Sequence, residues 1–119
     1  MKKAQPSVNI ENLHNNMIKF VHDLEEALGY ELTITSGYRS EFHPIEINKS
    51  KPGEHTEGLA IDVACSTPTE FLNLVGEAYK LGCKRIGVSR KSGFIHLGLS
   101  EHPQTHPTCL LYTSDAADE

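Results

Sequence analysis

The feature that most constrains this chain is a carboxylate in the middle of an apolar run. Leu59-Ala60-Ile61-Asp62-Val63-Ala64 has the composition of a core strand. An ionised side chain is costly to bury unless it is paired or coordinates a metal. A fold that buries this strand must therefore bring a cation or hydrogen-bond donors to Asp62. His96 poses the same problem in the apolar run from Phe94 to Leu99. His55 lies seven residues before Asp62, ahead of a strand beginning at Gly58 and after a turn opened by Pro52-Gly53. A bend followed by an extended run can bring the two side chains to one point. Taken singly, a buried histidine or aspartate is more often a satisfied core residue than a ligand, and spacing does not prove convergence. Together, two histidines and one carboxylate form a zinc donor set that leaves one tetrahedral position open, as catalytic rather than structural sites do.

The surrounding pattern predicts an α+β fold, with a small, mainly antiparallel sheet flanked by helices. Leu13, Met17, Phe20, Val21, Leu24 and Leu28 recur at helical spacing, which predicts an amphipathic helix over 9–28 with Gly29 as its stop. His14 and His22 fall within it and read as solvated or capping residues. Residues 31–36 alternate as a strand and run into a polar loop over 41–57. Thr67-Pro68-Thr69-Glu70 is a helix start with a capping box and a first-turn proline, and Gly82 ends that helix. Residues 85–88 and 94–97 read as two short strands joined by a Lys91-Ser92-Gly93 turn.

Bulk properties narrow the function. A chain of 119 residues with 38% hydrophobic content suits one globular domain over 1–108 with a single core, and a bound metal would help hold so small a fold together. The net charge of −5, with no basic block and no aromatic-basic interleaving, argues against nucleic acid as a partner. No apolar run approaches bilayer length, so no membrane partner is expected. The basic start Met1-Lys2-Lys3 has no apolar stretch behind it, so cytoplasmic synthesis without a signal peptide is expected. Cys65, Cys83 and Cys109 form no Cys-x-x-Cys pair and no even framework. Cys65 and Cys83 read as buried thiols.

The segment Cys109–Glu119 resembles the translation of a transposase adapter used in sequencing libraries. The expectation is that residues 109–119 are not native, and that Cys109, Asp115, Asp118 and Glu119 are adventitious.

The run Gly53-Glu54-His55-Thr56-Glu57-Gly58-Leu59-Ala60-Ile61-Asp62 resembles the His-x-x-Gly-x-Ala-x-Asp signature of D-Ala-D-Ala carboxypeptidase-type zinc metallopeptidases and related phage endolysins. Those proteins share a fold with lysostaphin-type peptidases and hedgehog domains. Ser36-Gly37-Tyr38-Arg39-Ser40 and Gly93-Phe94-Ile95-His96 are similar to two further elements of that family. The resemblance covers roughly residues 30 to 100. It implies His55, Asp62 and His96 as zinc ligands, and Arg39 as the group that binds and polarises a substrate carbonyl or carboxylate. That role suits a guanidinium, which can grip a carboxylate bidentately and stabilise a developing oxyanion.

The implied activity is hydrolysis of a peptidoglycan stem peptide, by a phage-encoded protein acting at the host wall after release or in the virion. The pattern departs from the family at Gly93, where several relatives place a general-base glutamate. It departs again at Gly98, where relatives often carry an acid. Glu46, Glu54, Glu57 and His102 are available as bases, and nothing in the sequence ranks them. A non-catalytic, zinc-stabilised wall-binding or virion module is the rival reading.

Overall fold

The computed structural model describes residues 1–45 and 53–100, and the backbone of 108–112. Glu46, His102 and the Cys109 side chain therefore lie outside the described residues. Strand β1 (Lys2–Lys3) is followed by helix α1 (Asn15–Leu28), strand β2 (Thr33–Ser36), a 3₁₀ turn (Glu54–Glu57) and strand β3 (Ala60–Ala64). Helix α2 (Pro68–Lys80) and strands β4 (Arg85–Ser89), β5 (Phe94–Gly98) and β6 (Thr108–Tyr112) complete the order. The sheet runs β1-β2-β3-β5-β4-β6. Its central pairings, β2–β3, β3–β5 and β5–β4, are antiparallel, while β1 and β6 lie parallel on the two edges. The α+β expectation with a mainly antiparallel sheet holds, and the edge strands β1 and β6 were not foreseen. Pairing at an open edge asks only for extended backbone. The position of β6 therefore speaks for its conformation and not for its origin.

Helix α1 begins at Asn15, six residues later than the periodicity predicts. Asn9 accepts the Asn12 amide on its side chain, at 3.0 Å, and holds the preceding segment in a turn. His14 is the N-cap, its Nδ1 accepting the Asn16 amide at 3.0 Å. Leu13 is buried all the same, because the turn docks on the core. Helix α2 starts as expected. Thr67 caps the Glu70 amide, Glu70 reaches back to the cap, and Pro68 opens the first turn. Among the described residues no helix is long and apolar enough to cross a membrane.

Both helices bury one stripe on one face of the sheet. Met17, Phe20, Val21 and Leu24 of α1, with Leu74 and Ala78 of α2, join a single cluster with Ile34, Ile61, Val63, Ile95 and Leu97. A fully buried leucine or isoleucine contributes about 1.5–3 kcal/mol, so this face carries most of the stability. Cys65 and Cys83 are buried free thiols, as read from the sequence. Burial pushes both up to about 11, which keeps them protonated and unreactive. Because side chains alternate along a strand, Asp62 and His96 fall on the opposite face from Ile61, Val63, Ile95 and Leu97. One strand pattern thus builds the core and the site together.

The 3₁₀ turn ends at Gly58, whose φ of 72° is left-handed and whose amide bonds back to Glu54 and His55. A Cβ at Gly58 would stand 2.7 Å from the His14 nitrogen and 3.0 Å from the Asn12 carbonyl oxygen, both backbone atoms that cannot swing aside. Gly58→Ala should therefore cost about 2 kcal/mol or more. Thr67→Ala, which removes only the α2 cap, should cost about 1 kcal/mol. Urea denaturation of the two variants checks the order, and equal midpoints would contradict the assigned clash.

Candidate metal centre

Cross-strand register builds the centre. Asp62 on β3 lies opposite His96 on β5 and Ser36 on β2, while His96 lies opposite Gly87 on β4. Directly opposed residues of an antiparallel pair have Cβ atoms only about 5 Å apart. Ser36, Asp62 and His96 therefore form one row across the solvent-side face of the sheet. His55 reaches that row from the 3₁₀ turn and is 4% exposed. His55, Asp62 and His96 form a group that could hold a metal ion, with one ligand atom from each lying within 4.8 Å of the others. The three residues singled out by sequence are thus brought together. A second such group, His22, Asp23 and Glu26, lies on the surface of α1, with His22 and Glu26 exposed and Asp23 half-buried.

Hydrogen bonds decide which nitrogen each ring offers. His55 Nδ1 lies 2.8 Å from the Gly37 carbonyl oxygen. A carbonyl can only accept, so Nδ1 carries the proton and Nε2 faces the Asp62 carboxylate at 3.5 Å. His96 has the reverse arrangement. Its Nε2 lies 2.7 Å from Glu54 Oε1, and its Nδ1 lies 3.0 Å from Asp62 Oδ1. Each ring is thus held from behind and turned toward the shared carboxylate. The two rings meet edge to face with centroids 5.2 Å apart. The donor set is two nitrogens and one carboxylate oxygen, and each histidine has an outer partner that sets its tautomer. That chemistry fits Zn²⁺.

The electrostatics follow. Burial works against the Asp62 charge, but the His55 and His96 rings that face it prevail and hold the carboxyl well below its usual range. Burial also disfavours a charged His96, but Asp62 and Glu54 outweigh it and push the ring up to about 9. Glu54 is lowered despite its own burial, because His96 and Arg85 face it.

Arg39 lies beside the row. Its Nη1 donates to Ser36 Oγ at 3.1 Å, and its amide donates to the His55 carbonyl at 3.1 Å. Arg39, Ser36, Tyr38, His43, Phe94 and Asp62 line a cleft of about 460 Å³. A guanidinium, a hydroxyl and the Asp62 carboxylate at one cleft can seat a carboxylate or carbonyl beside an ion held by Asp62. Of the bases proposed from sequence, Glu57 is exposed on the 3₁₀ turn. Glu54 is turned away from the shared centre onto the far nitrogen of His96. At Gly93 the backbone has a φ of 73°, and a Cβ would stand 3.1 Å from the Cys65 carbonyl oxygen, so this hairpin turn is built for glycine. His43 and the roles of Glu54 and Arg85 were missed by sequence reasoning. Glu54 stands next to His55, the one hint available, but its contact with His96 exists only in the folded sheet.

Two histidines converging on an aspartate that lines a cleft fit the donor set of a mononuclear metallopeptidase. Residues 2–98 match the family described as Peptidase M15, and the chain belongs to that family of metallopeptidases. No individual curated protein matches the chain at a significant level.

Ligation needs a neutral His96, whereas the apoprotein keeps this ring protonated below about 9. Metal uptake at pH 7 should therefore release about one proton per ion. Apparent affinity should rise with pH toward 9 and then level off, because proton competition fades above the pKa of His96. Calorimetry in buffers of different ionisation enthalpy measures the release. A pH-independent affinity between 6 and 8 would contradict the assignment.

Proposed function

We propose that the chain is a zinc-dependent peptidase that hydrolyses peptide bonds in peptidoglycan stem peptides, as a D-Ala-D-Ala carboxypeptidase or as an endopeptidase of the endolysin kind. The observation that carries the reading is the convergence of His55 Nε2, Asp62 Oδ1 and His96 Nδ1 beside the Arg39 cleft. Membership of the peptidase family supports it. His55, Asp62 and His96 would hold the ion. When bound, zinc supplies Lewis-acid polarisation of the scissile carbonyl and a nucleophile at neutral pH.

The rest of the work falls to the chain's own residues. Arg39, steadied by Ser36, binds the substrate carboxylate or carbonyl and fixes its distance from the ion. His43 lines the same cleft, and its Nδ1 accepts the Ile45 amide at 3.1 Å. With Nδ1 accepting, the ring offers an Nε2–H that can donate a hydrogen bond to a substrate carbonyl or developing oxyanion. A phage-encoded protein acting at the host wall, after release or in the virion, suits the resemblance to endolysins.

One observation favours a second reading, a zinc-stabilised wall-binding or virion module without turnover. Among the described residues, no glutamate is aimed at the shared centre: position 93 is a turn glycine and Glu54 bonds the back of His96.

Digestion of purified peptidoglycan with zinc-loaded protein, read by mass spectrometry, separates the two. Loss of terminal D-Ala or cleavage of cross-links, absent in His96→Ala, is the expected result. Intact peptidoglycan from a folded, zinc-bound protein would leave the binding module. Against a soluble stem peptide, Arg39→Ala should lower kcat/KM about 10²-fold or more, and His43→Ala, which removes the Nε2–H donor, should lower kcat about 10²-fold. An Arg39→Ala enzyme with unchanged kcat/KM would remove Arg39 from the site.

A further inference from the structure

Glu54 is a buried, heavily engaged carboxylate that stands outside the three-residue centre. Its side chain is 8% exposed. Oε1 accepts from His96 Nε2 at 2.7 Å and from Arg85 Nε at 3.0 Å, and Oε2 accepts from the Ser100 amide at 3.3 Å. Burying an acid costs free energy that only such partners offset. Three donors converging on one carboxylate also fix its position.

The sheet makes room for it. Next to the row that carries Asp62 and His96 lies a second row, Ala60, Gly98 and Arg85, in register on the same face. Residue 98 sits two positions beyond His96 on β5, so a side chain there would stand beside the His96 ring. Gly98 has none, and a Cβ built on it would overlap the Glu54 carboxylate. The small residue across the ladder, Ala60, leaves the space clear, and Arg85 closes its other side with a guanidinium. Glu54 thus enters from the 3₁₀ turn and puts its carboxylate where a short acidic side chain at position 98 would put its own.

We propose that Glu54 is the positioning residue of His96. It accepts the Nε2 proton, so that Nδ1 presents its lone pair to the ion, and it substitutes in space for an acid that β5 lacks at position 98. The inference rests on the reading of His55, Asp62 and His96 as metal ligands. A carboxylate behind a ligating histidine fixes its tautomer and raises its basicity, and losing it typically weakens metal binding 10–100-fold. The same geometry implies that any side chain at position 98 would displace the Glu54 carboxylate from its present place.

The test uses the full chain and reads zinc affinity by competition with a chromophoric chelator. Imidazole ¹⁵N resonances of His96 are recorded in parallel. Glu54→Ala should weaken zinc binding about 10–100-fold and lose the fixed Nε2–H signature. Gly98→Asp alone should destabilise the protein, through overlap and like charge. The double variant Glu54→Ala/Gly98→Asp should recover affinity to within a few fold of wild type and restore the Nε2–H tautomer, which a merely structural role for Glu54 would not produce. Should Glu54→Ala not fold, the double variant and the isosteric Glu54→Gln carry the comparison. The amide introduced by Glu54→Gln keeps an acceptor for Nε2–H, so the tautomer should persist with weaker affinity.

Wild-type affinity and tautomer in Glu54→Ala, or a folded double variant as weak as a ligand knockout, would overturn the positioning role. Asp62→Asn and His96→Ala serve as controls. If they too bind zinc like wild type, the metal reading fails and takes the inference with it. If they lose zinc while Glu54→Ala does not, only the role of Glu54 fails.

Discussion

The Asp62 carboxylate is the interaction on which the rest of the structure depends. It is a charge placed in a core strand, and both imidazoles of the site converge on one of its oxygens. Without a cationic or hydrogen-bonded surrounding, that charge would cost more than a small core could return. The fold meets the requirement by opposing Asp62 to His96 across β3 and β5 and by bringing His55 in from the 3₁₀ turn. The pairing is therefore a structural obligation and a functional device at once. Groups that burial would otherwise neutralise stay charged because they face one another.

A strand pattern with period two makes core and site inseparable. Ile61, Val63, Ile95 and Leu97 pack beneath α1 and α2, and Asp62 and His96, which alternate with them, stand in the candidate metal centre. A one-residue slip of β5 on β3 would turn His96 into the core and Leu97 to the opposite face. Register is thus enforced from both sides, by hydrophobic burial below and by charge pairing above. The outer groups extend the same logic. Gly37, through its carbonyl, and Glu54, through its carboxylate, engage the outer nitrogens of the two rings, so the rings are oriented before any ion arrives.

Much of this was legible in the residues. Asp62 and His96 declared themselves as polar intrusions in apolar runs, and the Thr67–Glu70 box placed the start of α2 within a residue. The start of α1 was not legible. Apolar periodicity begins before the helix does, because Leu13 is buried by tertiary docking while Asn9 claims the local backbone. Strand β1, two exposed lysines paired with β2, carries no hydrophobic pattern to read. Glu54 was visible only as one of several candidate bases, and its contact with His96 spans 42 residues of sequence.

What the sequence alone determined is the set of local choices: which segments extend or coil, where α2 is capped, and which three side chains must find partners if their strands are buried. These follow from spacing, propensity and the cost of a buried charge, all of which act over a few residues. The tertiary structure alone decided which nitrogen of each histidine faces the centre, which carboxylate stands behind His96, and what fills the space beside Gly98. Those outcomes depend on register between strands and on a turn folding back over them. Such contacts join residues far apart in the chain, and no local pattern encodes the distance between them.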